Sequence, residues 1–242
     1  QFSLYNYEVI WQTANLGVAF GVSVARTVIA AILNVFLTAM VAYTLIRQDF
    51  VLRRFVTIIF VLTMYVNAGL IPGYLLNRSL GLLNNFWVYI LPGLVSAFDL
   101  IIVRTYMKTI PGSLIESAQI DGAGEFTIFV KVILPLAMPV LATVALFVAV
   151  AQWNSWFDTY IYCGSAKNLT TLQYELMKAL STSMNQSGST ANVQNATQAA
   201  NQVTPTSIRA AITIVAAVPI LCVYPFLQKY FVQGMTLGSV KE

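Results

Sequence analysis

Side chains that commonly make or break bonds are scarce in this chain of 242 residues. It contains no histidine, which excludes His-based catalytic triads and the common histidine-containing metal sites. Cys222 lies inside a long apolar run and Cys163 outside one, so we expect two packing residues rather than a disulfide or a metal site. The phosphate-binding pattern G-x-x-x-x-G-K-[ST] is also absent, so any ATP that powers this protein must bind to another subunit.

Asp99 is an ionisable residue within an apolar run, where a charge is costly and marks a solute pathway or an ion pair by default. Arg104 follows five residues later, which does not suit an i,i+4 pair on one helix. A partner on another helix or subunit and a place in a pathway therefore both stay open. Trp153, Asn154 and Trp156 are further pathway candidates, with an aromatic belt at the membrane interface as the alternative for the tryptophans.

The segment from residue 108 to residue 135 carries the clearest local signals. Pro111 and Gly112 end the preceding helix, Ser113 is placed to cap a new one, and Glu116 three residues later completes a capping box. We predict a short helix that ends near Ile120. Asp121, Gly122 and Gly124 should interrupt it before a second amphipathic segment begins.

This short helix should also display a small apolar patch made of Leu114, Ile115 and Ala118. Such a patch on a polar connector is what the docking of a partner protein requires. A plain amphipathic loop at the membrane interface is the alternative.

The composition places these segments in a membrane protein. Hydrophobic residues make up 58% of the chain and charged residues 9%, against about 25% charged in soluble domains. Apolar runs of about 20 residues recur, and they are apolar all round instead of alternating, which predicts spanning helices and not barrel strands. Five spans are predicted: Val18 to Ile46, Phe55 to Ile71, Phe86 to Tyr106, Leu134 to Phe157 and Ile208 to Tyr230. The expected fold class is an all-α, polytopic helical membrane protein.

Basic residues set the expected orientation. Arg47, Arg53 and Arg54 follow the first span, and Lys108 and Lys131 follow the third. By the positive-inside rule these connectors and the C-terminal tail face the cytoplasm. The N-terminus of the chain then lies outside, and because the chain does not begin with Met we expect one earlier span in a longer protein.

The loop from residue 162 to residue 207 is expected outside the membrane. Leu172, Leu176 and Leu180 are spaced i, i+4 and i+8, which predicts a short amphipathic helix over residues 170–180. The stretch from Ser181 to Gln202 is polar and nearly uncharged, so it should not fold independently. It can be a flexible flap or a passive linker.

The segment 108–135 resembles a known family signature. Glu116-Ser117-Ala118, three residues, Gly122, nine residues, Val132, one residue and Leu134-Pro135 match the E-A-A-x3-G-x9-I-x-L-P pattern of binding-protein-dependent ABC importer permeases. Ser117 replaces the first Ala and Val132 replaces Ile, and both exchanges keep small or apolar residues at these positions.

The resemblance extends to the maltose-type carbohydrate permeases, nearest the branch for complex polysaccharides and alginate-like oligosaccharides. It rests on three further stretches: Leu75 to Asn85, Gln152 to Phe157 and Tyr224 to Gly234. It implies a type I ABC importer permease fold, with residues 1–242 as one transmembrane domain. Members have six spans, so the first is expected to be missing from this chain.

The resemblance also implies roles for particular residues. The coupling helix that sits in a cleft of a cytoplasmic ATPase would include Ser113, Leu114, Glu116, Ser117, Ala118, Asp121, Gly122 and Gly124, with Pro135 closing the signature. The C-terminal tail, with Gly234, Gly238 and Lys241, would reach the ATPase dimer interface, a frayed terminus being the alternative. The outer loop would contact the sugar pocket of a docked binding protein.

The implied assembly contains a second, homologous permease subunit as the heterodimer partner, two ATPase subunits that bind ATP and Mg, and an extracytoplasmic solute-binding protein. The implied substrate is an oligosaccharide, and the location is the inner (cytoplasmic) membrane, in contact with lipid. No cofactor on this chain and no nucleic acid are expected. An ABC permease for another solute class stays open, as does an ion-coupled secondary transporter, although coupling needs intramembrane carboxylates and Asp99 is the one good candidate.

Overall fold

A computed structural model describes residues 16–187 together with Ile214, Ala217, Val218 and Leu221. The described residues form helices and contain no β-strand, which confirms the all-α class. Apart from those four positions, the predicted fifth span at Ile208 to Tyr230 lies outside the described residues. The tail positions Gly234, Gly238 and Lys241 also lie outside them.

The described part of the chain runs as a series of helices with short connections. The α-helices are α1 (Leu16–Ile46), α2 (Arg53–Tyr65), α3 (Leu70–Ser79), α4 (Ala97–Met107), α5 (Gly112–Ile120), α6 (Glu125–Ile128), α7 (Leu134–Leu136), α8 (Met138–Asn154), α9 (Phe157–Tyr162) and α10 (Leu172–Ser187). Two 3₁₀ turns, Phe86–Tyr89 and Leu91–Gly93, precede α4, and a π-helical turn, Phe129–Ile133, joins α6 to α7.

Helix α1 confirms the first predicted span. Its 31 residues rise about 46 Å at about 1.5 Å per residue, more than the hydrocarbon layer requires. It packs against α4 and α8. Small buried residues such as Ala19, Ala30, Ala39 and Ala42 allow this close approach of helices, as is typical inside membranes.

The third and fourth predicted spans are each broken in the structure. The 3₁₀ turns before α4 and α4 itself meet at 52°, and the Glu125–Leu136 piece meets α8 at 80°. Pro92 and Gly93 lie at the first bend, and Pro135 and Pro139 flank the second, where missing N–H groups weaken the helix. By length and composition, the described residues thus include one membrane-spanning helix, or three if each bent pair is one span.

The second predicted span, Phe55 to Ile71, is not one helix. Helix α2 ends at Tyr65, and α3 begins at Leu70. Between them, Gly69 has a φ of 87°, which favours glycine, and the Asn67 side chain accepts a hydrogen bond from Gly69 N at 2.8 Å. This local turn competes with helix formation in an otherwise apolar run.

Two buried clusters hold the described part together. The larger lies where one half of α1 meets α4, the residues 128–133 and α8, and it is made of Ala39, Ala42, Tyr43, Leu45, Leu100, Val103, Met107, Ile128, Phe129, Ile133, Ala137, Val140, Leu141, Val144 and Val148. The smaller joins the other half of α1 to the first 3₁₀ turn and the end of α9, through Ala30, Leu82, Val88, Tyr89, Ile90 and Cys163. The first cluster is next to the predicted coupling helix and the second next to the outer loop.

Candidate functional site

The short helix predicted in the segment 108–135 is present as α5, Gly112–Ile120, and its coupling role stays a prediction. Its C-terminal end follows from the sequence: Gly122 has a φ of 79°, and Gly122 N and Ala123 N donate to Gln119 O and Ala118 O, each at 3.0 Å. These two bonds form a Schellman motif, which needs a left-handed residue after the helix. A Cβ at Gly122 would meet no atom within 4 Å, so lack of space does not require glycine at this position. The left-handed backbone conformation requires it.

The predicted capping box at the start of α5 is wrong. Pro111 occupies the N-cap position with extended backbone, and no side chain caps the helix. Helix α5 thus begins at Gly112, so Ser113 lies inside the first turn, two residues after the cap position. Glu116 keeps its place on α5, and both side chains are exposed.

Helix α5 has an inner and an outer face, and this corrects the predicted apolar patch. Ile115 and Ala118 are partly buried against the larger cluster, so they hold the helix to the protein. Leu114 is exposed, as predicted, and Ile120 is 85% exposed. The surface that α5 offers to a partner therefore combines Leu114 and Ile120 with the exposed residues Glu116, Ser117 and Asp121.

Glu125, which the sequence did not single out, connects the segment after α5 to α1. Its carboxylate accepts from the Tyr43 hydroxyl at 2.6 Å, from Arg47 Nη2 at 2.8 Å and from Gln119 Nε2 at 3.1 Å. Glu125 is also the first residue of α6, where a negative charge is favourable. These bonds join α5, α6 and the end of α1 at a single carboxylate.

Gly124 and Pro135 have simpler roles in the described chain. Gly124 has φ −70° and ψ 158°, ordinary extended backbone, and a Cβ there would meet no atom within 4 Å. Pro135 is exposed and lies just before the 80° bend. Between them the π-helical turn buries Phe129 and Ile133, and π turns recur at functional sites in helices.

At the other end of α1, Arg26 is 2% exposed and forms an ion pair with Asp158. Its Nε donates to Gln152 Oε1 at 2.8 Å, its Nη1 donates to Ser155 O at 3.4 Å, and its guanidinium carbon lies 4.5 Å from the Tyr89 ring centre. An arginine near a membrane surface can extend its charged end toward the headgroups. Here the ion pair with the partly buried Asp158 carboxylate keeps Arg26 inside the protein.

The four pathway candidates lie in different environments. Asp99 is buried in the first turn of α4, where Ser96 Oγ accepts from Asp99 N at 3.5 Å, and none of the described cationic side chains forms a salt bridge with it. Trp153 is buried and packs edge-on against Phe20, with ring centres 6.0 Å apart. Asn154 is exposed and donates to Val150 O within its own helix. Their proposed role in a pathway stays a prediction.

Trp156 lines a cleft of about 260 Å³ between α9 and α10. The other lining residues are Tyr160, Tyr174, Met177, Lys178 and Ser181. Helix α10 confirms the amphipathic helix predicted for the outer loop, with Leu172 and Leu176 buried. It continues to Ser187, beyond the predicted end. Each residue added to an existing helix gains one backbone hydrogen bond, whereas starting a helix fixes several residues for a single bond. The Leu180 side chain and residues 188–213 lie outside the described residues.

Comparison with known proteins decides the family. Residues 16–237 match the family described as "Binding-protein-dependent transport system inner membrane component". The chain belongs to this family. It is therefore a membrane permease subunit of the binding-protein-dependent transport systems. The segment that resembles the family signature forms α5 and the Glu125–Leu136 piece.

Individual relatives are similar over nearly the whole chain. The Bacillus subtilis polygalacturonan/rhamnogalacturonan transport system permease protein YtcP is 38% identical over 240 residues, covering 99% of this chain and 82% of that protein. Protein LplC of the same organism is 37% identical, covering 99% and 79%. Among solved structures, a bacterial ABC transporter involved in the import of the acidic polysaccharide alginate matches with a TM-score of 0.82 and 30% identity, over 93% of this chain and 79% of that one.

Proposed function

We propose that this chain is the permease subunit of an ATP-driven importer of oligosaccharides, in which it forms half of the translocation pathway. The relatives support the solute class: besides those above, an arabinooligosaccharide permease of Halalkalibacterium halodurans is 28% identical over 99% of this chain. The chain carries no ATP-binding loop, so ATP and Mg bind to two partner ATPase subunits.

The observation that carries the proposal is that one face of α5 is packed against the protein and the other is exposed. Its inner face is packed against the larger cluster through Ile115 and Ala118, and its outer face leaves Leu114 and Ile120 exposed beside Glu116. A short helix with an apolar, partly charged outer face, fixed at its base, suits insertion into a cleft of a partner protein. In this proposal that partner is the ATPase.

Coupling follows from the contacts behind α5. When the two ATPases close on ATP, they displace α5, and the Glu125 carboxylate passes the displacement to α1 through Arg47 and Tyr43. Because α1 is continuous over 31 residues, it carries the movement to Arg26 and Asp158 at its other end. The Glu125–Leu136 piece transmits the same displacement to α8 across the 80° bend.

The remaining partners follow from the same assignment. A second, homologous permease subunit packs against part of the surface of α2 and α3 that is exposed among the described residues, and it supplies the other half of the pathway. A solute-binding protein docks on the outer side, near the α9–α10 cleft. The C-terminus and the tail residues Gly234, Gly238 and Lys241 lie in the cytoplasm, where the tail contacts the ATPase dimer.

Reconstitution with the cognate ATPase, second permease and binding protein tests the proposal. Glu116→Lys reverses a charge on the outer face of α5, so it should abolish uptake and ATPase retention while the chain still inserts. Lys108→Glu, just before α5, is a charge-reversed control that should retain the ATPase. Normal ATPase retention and uptake in the Glu116→Lys complex would contradict docking through α5.

The substrate is tested in the same preparation. Trigalacturonate, an arabinotriose and raffinose should be compared with a free amino acid in the presence of the loaded binding protein. Uptake of at least one oligosaccharide and none of the amino acid is expected. Uptake of the amino acid alone would overturn the solute class and leave the permease assignment in place.

A further inference from the structure

The interruption between α2 and α3 leaves polar backbone without partners. Val66, Asn67 and Ala68 follow the last residue of α2, and within the described chain no hydrogen bond reaches their carbonyl oxygens. Asn67 Oδ1 accepts a hydrogen bond from Gly69 N, whereas the Asn67 amide nitrogen has no partner among the described residues. This short segment therefore offers three acceptors and a donor at one place.

The interruption lies at membrane depth. Helix α2 begins at Arg53, beside Arg54, where the charges favour the cytoplasmic surface. Its 13 residues rise about 20 Å, so the interruption falls about two-thirds of the way across a hydrocarbon layer of about 30 Å. Beyond it, Tyr74 of α3 stacks on Tyr162 at the end of α9, with ring centres 6.1 Å apart, which places α3 toward the outer surface.

Unpaired carbonyls cannot face lipid tails, because hydrocarbon supplies no donors and each lost hydrogen bond is costly there. Irregular backbone at membrane depth is tolerated where protein buries it or where it lines a water-filled cavity. Among the described residues nothing buries it: Tyr65 is 82% exposed, and no residue of α2 is buried. In the proposed importer, the translocation pathway and the interface with the second permease subunit are the two places that would satisfy these groups.

We propose that Tyr65 to Gly69 form a subsite for the sugar in the translocation pathway, an inference that rests on the importer function proposed above. The three carbonyls accept hydrogen bonds from sugar hydroxyls, and the Asn67 amide nitrogen donates to a hydroxyl or ring oxygen. The exposed Tyr65 ring supplies an apolar face for a pyranose ring and a hydroxyl at its edge. Water satisfies the same groups when the sugar has left.

The chemistry of this segment favours a hydroxyl-rich solute over a protein partner. A permease helix crossing here would present few donors, because its own backbone N–H groups are already used in its helix. A sugar presents many hydroxyl donors within a few ångströms. The segment carries no charged residue, so the subsite recognises the hydroxyl pattern of the solute, whether or not the sugar is acidic.

Two measurements on the reconstituted importer test this subsite. In the first, Asn67→Leu should raise the KM for uptake by about three- to ten-fold, the loss expected for one or two hydrogen bonds, with unchanged complex yield. Thr57→Val is the matched control, because the Thr57 hydroxyl already donates a hydrogen bond to Arg53 O at 2.6 Å inside α2. It should leave KM unchanged.

In the second measurement, Tyr65→Cys and Asn67→Cys complexes are treated with a charged methanethiosulfonate reagent, with the parent complex as the blank for the native cysteines. Labelling should occur in at least one nucleotide state and be slowed by the imported oligosaccharide, with trigalacturonate and raffinose tried separately. Absence of labelling in every state would overturn the proposal in favour of the second subunit. Labelling without protection, together with a normal KM for Asn67→Leu, would show a water-lined segment that binds no sugar. Either result leaves binding-protein-dependent uptake, and hence the importer assignment, intact.

Discussion

Arg47, one residue beyond the end of α1, and Glu125, the first residue of α6, form an ion pair with Nη2 and Oε1 2.8 Å apart. They are 78 residues apart in the chain. The pair joins the helix that crosses the membrane to the segment that follows α5. A partner that moves α5 must therefore move this pair, which makes it the main connection in the proposed coupling.

Breaking this pair should separate ATP hydrolysis from transport. We expect Glu125→Gln to lower the oligosaccharide imported per ATP hydrolysed several-fold while the ATPase stays bound, because α5 still docks but its connection to α1 is weakened. The measurement is uptake and phosphate release in the same proteoliposomes. The exchange Arg47→Glu with Glu125→Arg should recover part of the loss, which loss of folding alone would not allow.

Asp49 supplies the matched control for that experiment. It also pairs with Arg47, at 3.2 Å, but its side chain is 86% exposed against 53% for Glu125, so its contribution is small. Asp49→Asn should leave the ratio of uptake to hydrolysis unchanged. An equal loss in both variants would show that the charge of Arg47 matters and its link to α6 does not.

Gly122 and Gly124 should differ in their tolerance of alanine. Gly122 has a φ of 79°, a conformation that costs an L-residue about 1–2 kcal/mol, whereas Gly124 has a φ of −70°. Gly122→Ala should lower the thermal midpoint of the purified complex and its coupling, and Gly124→Ala should change neither. If Gly124→Ala also impairs coupling with normal stability, close approach of the ATPase to Gly124 is the explanation to test.

Arg26 should be needed for folding in the membrane. Removing its guanidinium leaves Asp158 without its cation in a largely buried place, and breaking buried pairs costs about 3–5 kcal/mol, somewhat less here because Asp158 stays 22% exposed. Arg26→Met should sharply reduce the amount of chain in the membrane, measured by immunoblot, whereas Arg78→Met, on an exposed side chain, should not. Adding Asp158→Asn to Arg26→Met should restore part of the yield. An unchanged yield in Arg26→Met would contradict a structural role for the pair.

The Cys163 thiol should make the complex less stable at high pH. Burial raises the pKa of Cys163 above its usual range, since the folded protein disfavours the thiolate. The stabilising effect is complete below the unfolded pKa of about 8.5 and is lost as pH rises further. Thermal midpoints measured from pH 7 to pH 10 should fall less in Cys163→Ala than in the parent. Parallel curves would show that other groups set the alkaline limit.

The sequence predicted the features that depend on local signals. Pro111, Gly112 and Gly122 mark the two ends of α5 through backbone effects within a few residues, so its existence and its end near Ile120 could be foreseen. The capping box failed because Pro111 took the cap position that Ser113 was expected to fill. Helix boundaries shift by one or two residues easily, and the motif spacing alone does not show which residue starts the helix.

The pairs at the two ends of α1 could not be foreseen. Arg26 meets Asp158 across 132 residues, and Arg47 meets Glu125 across 78, and charge counting in one sequence gives no pairing at such distances. The interruption after Tyr65 is different, because signals for it were present. Asn67 and Gly69 are turn-forming residues inside the second apolar run, Pro72 follows directly after it, and these local signals outweighed its hydropathy. Such conflicts between local preference and the surrounding pattern are expected at functional sites.

The central claim, that α5 docks in a partner ATPase, is tested most directly by photo-crosslinking. Leu114→Cys, on the exposed face of α5, is labelled with benzophenone maleimide in the assembled importer and irradiated. Asp49→Cys is the control, an exposed position on the same predicted side of the membrane but away from α5. The account predicts an adduct between the Leu114→Cys chain and the ATPase that changes with nucleotide, and none from Asp49→Cys. Absence of an ATPase adduct at Leu114→Cys in every nucleotide state, with the importer assembled and active, would contradict it.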